Sequence, residues 1–241
     1  MTPRPAIVLA AGSGRRLRPH TDRRPKPLVE VAGQPMLTRI LAQLRDAGVS
    51  EFVVVVGDRA VQIETALAGA EGVRFVEAPD YANTNNASSL QRVGDVLRSG
   101  AFVIEGDVVC DPSIVHALVA ADPTHPHWAV RPFLPGMDGA LLSGTPGGPL
   151  TALRLVRNPP PDAHYDGYKS MGMLALPATY GAQLADWLDA EAAAGRTDRY
   201  FDLVIESHLA LAAPRLLVLD EGRWMEVDTP EDLAEARRLF G

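Results

Sequence analysis

One cysteine, Cys110, is all the thiol this chain has in 241 residues. A single thiol excludes an internal disulfide and a cysteine-cluster metal site, so Cys110 reads as a reduced side chain without a role. There is no apolar run approaching a membrane span, and no charged segment leading into an apolar one. Neither a membrane partner nor a secretory leader is therefore expected, and the protein should be soluble and cytoplasmic. A basic excess is missing too: 23 Lys and Arg stand against 30 Asp and Glu, for a formal net charge of −7. Phosphate backbones are held by basic surfaces, so nucleic acid is not expected as a partner. No linker, repeat or low-complexity tract divides the chain, and at 46% hydrophobic content it can bury a full core.

What is present begins with residues 6–28. The apolar, β-branched run Ala6 to Ala10 has the length of a buried strand and enters Ala11-Gly12-Ser13-Gly14, which has almost no side chains. Small residues leave peptide N–H groups uncovered for an anion, and Arg15, Arg16, Arg18 and Lys26 follow as cations able to surround a polyphosphate. Two familiar glycine loops do not fit. A Walker A loop needs Gly-Lys-Ser/Thr, whereas Gly14 precedes Arg15-Arg16-Leu17, and a dinucleotide fingerprint needs glycine where Leu17 stands.

The chain then alternates strand and helix. Pro35 to Ala47 places Met36, Leu37, Ile40, Leu41 and Leu44 on one helical face before Gly48 ends it. Glu51–Val56 reads as a buried strand, Ala60–Ala68 as a helix and Val73–Val76 as a third strand. This order predicts a parallel sheet with its site at the carboxyl ends of the strands. Asn85 or Asn86 can cap a helix over Ala87–Leu97. The strand Phe102–Ile104 ends in Glu105-Gly106-Asp107, which delivers a carboxylate beside a glycine.

From His125 the pattern turns to short strands, at 127–132, 140–143, 151–156 and 169–176, separated by Gly/Pro turns and able to form a small antiparallel lid or subdomain. His125 and His127 flank a proline without a third ligand and read as structural; Met171 and Met173 alternate along a strand as core. Helices are expected at 178–194 and 200–212, a strand at 216–219, and a last helix after Asp228-Thr229-Pro230, with Asp228 as its candidate N-cap.

Leu9, Ala10, Ala11, Gly12, Gly14, Arg16, Leu17, Pro19, Pro25, Lys26 and Leu28 together resemble the signature L-A-A-G-x-G-x-R-L-x-P…P-K-x-L of nucleotidyltransferases that join an NTP to a phosphorylated acceptor. Glu226-Val227-Asp228-Thr229 and Asp232-Leu233 resemble that superfamily's E-I-D-t-x-x-D-L motif. Tyr81…Asn85-Asn86-x-x-Ser89-Leu90 resembles the base-reading segment of phosphocholine and aminoethylphosphonate cytidylyltransferases. Met137-Asp138-Gly139-Ala140 and Tyr168-Lys169-Ser170-Met171-Gly172 resemble, with substitutions, the M-D-G-T and K-T-V-N segments of the phosphonate enzymes.

The resemblance implies a three-layer α/β/α fold with a mixed, mainly parallel sheet, of the nucleotide-diphospho-sugar transferase type. It implies one domain over 1–241, its nucleotide-binding half 1–124 and its acceptor-binding half 125–241. Nucleotide contacts are implied for Leu9, Ala10, Ala11, Gly12, Ser13, Gly14, Arg15, Arg16, Lys26, Asn85, Asn86, Ser89, Glu105 and Asp107. Acceptor contacts are implied for Arg131, Asp138, Gly139, Lys169 and Glu226, and Mg2+ for Asp107 and Asp228. Arg16, Lys26, Asp107 and Asp228 form the implied catalytic set. The implied reaction joins CMP from CTP to a small phosphonate of the 2-aminoethyl or 2-hydroxyethyl kind, releasing pyrophosphate. Phosphocholine or a sugar 1-phosphate is the alternative acceptor, and an inactive binding relative the alternative class. A homodimer is left open.

Overall fold

The computed structural model describes residues 4–241. Strand β1 (Ala6–Ala10) leads through the glycine loop and two single 3-10 turns to the short hairpin β2 (Glu30–Val31) and β3 (Gln34–Pro35). Then follow α1 (Met36–Asp46), β4 (Phe52–Val56), α2 (Ala60–Ala66), β5 (Val73–Glu77), α3 (Asn86–Gln91), α4 (Gly94–Arg98), β6 (Ala101–Glu105), β7 (Val108–Cys110) and α5 (Pro112–Val119). The second half comprises β8 (His127–Pro132), β9 (Gly139–Gly144), β10 (Leu150–Val156), β11 (Tyr168–Leu176), α6 (Ala178–Ala193), α7 (Phe201–Glu206), β12 (Arg215–Val218), β13 (Trp224–Glu226) and α8 (Pro230–Phe240).

Strands β6, β1, β4 and β5 run parallel in that order, as the alternating pattern predicts. Strands β1 and β4, inside the sheet, are apolar throughout because both faces are covered, whereas the edge strand β5 exposes Arg74 and Glu77. Ile7, Val53 and Val55 point to a core shared with α3, α4, α6 and α7 through Leu90, Leu97, Leu184 and Val204. Val8, Phe52, Val54 and Val56 point to the opposite core, built with α1, α2 and α5 through Ile40, Leu44, Ile63 and Ile114. The result is the expected three-layer α/β/α arrangement. Helix α1 ends as read: Gly48 adopts φ +96°, and Val49 N–H donates back to Leu44 O. Cys110 is buried in the second core, and burial pushes its thiol up to about 12, which keeps it protonated and inert.

Antiparallel structure is added at one edge of this sheet. Strand β11 pairs with β6 through Met173–Leu176, with β8 at both ends through Tyr168–Ser170 and Leu174–Ala175, and with β9 through Tyr168 and Lys169, and β10 and β12 extend the same nine-stranded sheet. The segment expected to cover the sheet is therefore hydrogen-bonded into it. Helix α2 ends at Ala66, two residues before its pattern does, and two other expected helices depart further. Helix 87–97 breaks at Val93 (φ −115°, ψ 29°) ahead of Gly94, a poor helix former. Helix 200–212 stops at Glu206, where the Ser207 hydroxyl and the His208 ring take the carbonyls of Leu203 and Val204. Among the described residues, no helix is long and apolar enough to cross a membrane.

Helix α6 lies directly on α4 at Gly181, where a Cβ would come within 1.8 Å of Leu97 O. Gly181→Ala should therefore force the two helices apart and cost roughly 1–3 kcal/mol, as overpacking does. Urea unfolding should show a lower midpoint at unchanged slope.

Candidate active site

Two glycines bring the site's elements together. Gly14 adopts φ +59°, and a Cβ there would lie 2.8 Å from Lys26 Cβ, so only glycine lets the loop close on the lysine. Gly106 N–H donates to Leu9 O at 2.9 Å, and a Cβ at 106 would meet that oxygen at 2.7 Å. The turn carrying Asp107 is thus pressed against the end of β1. Asp228 arrives from the other end of the chain because β13 pairs with β7, Glu226 opposite Val108, and Val227 N–H donates to Asp107 O.

Lys26, itself buried, joins these pieces. Its Nζ lies 2.6 Å from Asp107 Oδ2 and 2.6 Å from Asp228 Oδ1, while Arg16 Nη2 lies 2.9 Å from Asp228 Oδ2. Burial works against the ammonium, but attraction to Asp107 and Asp228 outweighs it and raises the Lys26 pKa. Burial would likewise lift the Asp228 carboxyl; Lys26, then Arg16, hold it below the ordinary range. The helix cap is Thr229, in a capping box with Asp232, so the Asp228 side chain is free for the site.

The donor set fits a divalent ion shared with phosphates. Asp107 Oδ1 is buried without a hydrogen-bond partner, and two carboxylates converge on one cation. Among the described residues, no group of three or more His, Cys, Asp or Glu is placed to hold a metal by itself. Magnesium needs only one or two carboxylates when a bound substrate supplies phosphate oxygens. His125 is engaged by Asp122 at 2.9 Å.

Beyond Asp107 lies a second cluster. Lys169 Nζ donates to Glu226 Oε2 at 2.8 Å above the Trp224 ring, and a Cβ at Gly139 would come within 2.7 Å of that nitrogen. The register of β11 against β8 shifts between Ser170 and Leu174, and Gly172 (φ +69°) lies where a Cβ would meet Glu105 Oε2 at 2.7 Å. Helix α7 contributes Asp202. Three carboxylates, Glu105, Asp202 and Glu226, thus share one lysine. Burial and then Asp107 raise Glu105 well above the ordinary range; burial lifts Asp202 to about 7 against the pull of Lys169; Glu226 is raised by burial despite Lys169. Lys169 is raised as well, the carboxylates outweighing its burial. The cluster is short of positive charge.

A cavity of about 420 Å³ joins the two clusters, a size usual for small-molecule sites. It is lined by Leu9, Ala10, Ala11, Gly12, Ser13, Gly14, Arg15, Arg16, Lys26, Asn85, Asn86, Ser89, Glu105, Asp107, Gly139, Lys169, Glu226 and Asp228, all singled out from the sequence. Arg131 and Asp138 are not among its lining residues. Arg131 sits opposite Lys169 on β8 and faces the same Trp224 ring at 6.0 Å, and Asp138 is exposed in the turn before β9. Asn85 caps α3, its side chain accepting from Asn86 N–H at 2.9 Å. Asp202, Tyr200, Arg157 and Ser170 line the cavity but were not foreseen. One signal was available: the chain has only two lysines, 26 and 169, among many arginines, and both line the cavity.

Residues 6–198 match the MobA-like NTP transferase domain. Over 98% of its length the chain is 33% identical to a CMP-5'-(3-aminopropyl)phosphonate synthase of Streptomyces rubellomurinus, of which it spans 38%. It is 29% identical over 95% of its length to a 2-aminoethylphosphonate cytidylyltransferase of Lancefieldella rimae, spanning 90% of that protein. The CTP:phosphocholine cytidylyltransferase of Streptococcus pneumoniae shares its fold, with a TM-score of 0.86 at 22% identity, over 99% of this chain and 100% of the other.

A carboxyl whose folded pKa is raised destabilises the fold as pH rises from its unfolded value toward the folded one. For Asp202 that window runs from about 4 in the unfolded chain to about 7 in the fold. Asp202→Asn should therefore raise Tm at pH 8, by roughly 6 °C for a gain on the order of 2 kcal/mol, with the gain vanishing near pH 4. Thermal melts across that range check it.

Proposed function

The chain belongs to the MobA-like NTP transferase domain family and is a nucleotidyltransferase, and from that premise we propose that it transfers CMP from CTP to a small aminoalkylphosphonate with release of pyrophosphate. The glycine loop at the end of β1, with Arg15, Arg16 and Lys26, is suited to the triphosphate: uncovered peptide N–H groups and three cations converge there. CTP as donor is supported by the cytidylyl activity in the names of the two relatives and by Asn85 and Ser89 at the cavity edge.

The observation that carries the acceptor is the charge imbalance around Lys169. A phosphonate oxygen suits Lys169 as a point charge, and the three carboxylates left without sufficient cation suit an ammonium group. A primary ammonium donates hydrogen bonds to carboxylates, whereas a trimethylammonium has no N–H and is held best by aromatic faces. The aromatic residues lining the cavity are Tyr81 and Tyr200, with no tryptophan among the described lining residues. A 2-hydroxyethyl group carries no charge with which to balance Glu105, Asp202 and Glu226. The amine is therefore preferred.

In the reaction an acceptor oxygen attacks the α-phosphorus of the nucleotide, and a new P–O bond forms as the bond to the β-phosphate oxygen breaks. The attacking oxygen is already anionic, so no general base is needed and catalysis reduces to positioning and charge neutralisation. Lys26 and Arg16 hold the triphosphate and the departing pyrophosphate. Asp107 and Asp228 would hold a magnesium ion, whose contribution when bound is to neutralise phosphoryl charge. Lys169 aligns the phosphonate.

Pyrophosphate release from four NTPs against 2-aminoethyl-, 3-aminopropyl- and 2-hydroxyethylphosphonate, phosphocholine and glucose 1-phosphate tests this reading. Expected is the highest kcat/KM for CTP with an aminoalkylphosphonate, with the hydroxyl analogue poorer by at least about 100-fold because buried charge stays uncompensated. Preference for UTP or dTTP with the sugar phosphate would overturn it. Asp107→Asn and Asp228→Asn should each lower kcat on the order of a thousandfold with circular dichroism unchanged; near-normal turnover removes that residue from the site.

A further inference from the structure

We infer that Asn86 is a positioning residue for the acceptor's ammonium group and does not read the nucleotide base, an inference that rests on the acceptor proposed above. The Asn86 amide spans two elements. Its Nδ2 donates to Glu105 Oε1 at 3.0 Å, and its Oδ1 accepts from Phe201 N–H at 2.9 Å. The side chain thus fixes one carboxylate of the acceptor cluster and the first turn of α7, where Asp202 follows Phe201. Neighbouring contacts hold the same seam: Asn85 N–H and Ser88 Oγ both donate to Thr197 O at 2.9 Å, and Ala87 N–H donates to Arg199 O at 3.3 Å.

Glu105 has little other freedom. Its second oxygen lies against Gly172, where even a Cβ would approach to 2.7 Å. Asn86 on one side and the β11 backbone on the other therefore set where this carboxylate points. A base reader needs its amide donor and acceptor aimed at the ligand, because discrimination comes from polar groups that the wrong base leaves unpaired. Asn86 directs one of each into the protein. Asn85, whose Oδ1 accepts from Asn86 N–H, and Ser89 line the same cavity.

The test measures CTP and acceptor KM, the ratio of kcat/KM for 2-aminoethyl- over 2-hydroxyethylphosphonate, and the ratio for CTP over UTP, in wild type, Asn86→Ala and Asn86→Asp. The aspartate variant keeps the acceptor for Phe201 N–H while setting an oxygen against Glu105, so it serves if the alanine variant does not fold. Loss of a hydrogen bond to a charged group should raise acceptor KM, and lower the amine-over-hydroxyl ratio, by about tenfold or more, with CTP KM within about twofold. In the Glu105→Gln background the effect of Asn86→Ala on that ratio should shrink. A lowered CTP-over-UTP ratio with unchanged acceptor KM would make Asn86 a base reader and overturn the inference. Equal losses for both substrates at a constant amine-over-hydroxyl ratio would overturn it as well. Wild-type preference for the hydroxyl analogue, by contrast, would sink the acceptor assignment itself.

Discussion

Lys26 lies between Asp107 and Asp228, 2.6 Å from an oxygen of each, and the rest of the structure is arranged so that this buried ammonium can be there. A lysine inside a protein is stable only when paired. Its two partners come from the turn after β6 and from the end of β13. Bringing them together requires the parallel β1–β6 pair, the β7–β13 pair, and glycine at 14 and 106 where any side chain would separate the parts. Loop, sheet and last helix are thereby held to one point. It lies at the carboxyl ends of the strands, where open α/β sheets place their ligands.

The second constraint is one of charge, and it is left unbalanced. Around Lys169 the fold encloses three carboxylates, all held above their usual range by burial in spite of the lysine. A core chosen for stability would not contain such a group. Perturbed carboxyls in a cavity mark a candidate functional site, and in the function proposed above the missing counter-ion is the acceptor's ammonium. The cavity thus joins a polycationic loop suited to a triphosphate with an anionic pocket suited to an ammonium, and Asp107 stands between the two.

Much of this was legible in residue types. The β-branched runs at 6–10 and 52–56 read as buried strands, as they are, and the small residues at 11–14 with Lys26 marked a candidate anion site. Asp107 and Asp228 were found through their motifs. Less legible was whatever depends on pairing across the chain. Asp202 sits in an amphipathic helix with no local sign that its face is a cavity wall, and only the packing of α7 beside α3 puts it near Glu105. Arg131 and Asp138 were placed by resemblance alone, and strand register turns the first toward Trp224 and loop geometry leaves the second in solvent. The break at Val93 follows from Gly94, a poor helix former, and the early end of α7 from the Ser207 and His208 side chains competing for backbone carbonyls, neither of which hydrophobic periodicity reveals.

The central claim is that one cavity holds a nucleoside triphosphate on the Ala11–Gly14 loop and an aminoalkylphosphonate between Lys169 and the three carboxylates. A crystal structure with a non-hydrolysable CTP analogue and 2-aminoethylphosphonate tests it most directly. Expected is the triphosphate over that loop in contact with Lys26, a phosphonate oxygen on Lys169, and the ammonium within hydrogen-bond distance of at least two of Glu105, Asp202 and Glu226. An ammonium in solvent, or a nucleotide bound away from the loop, would contradict the account.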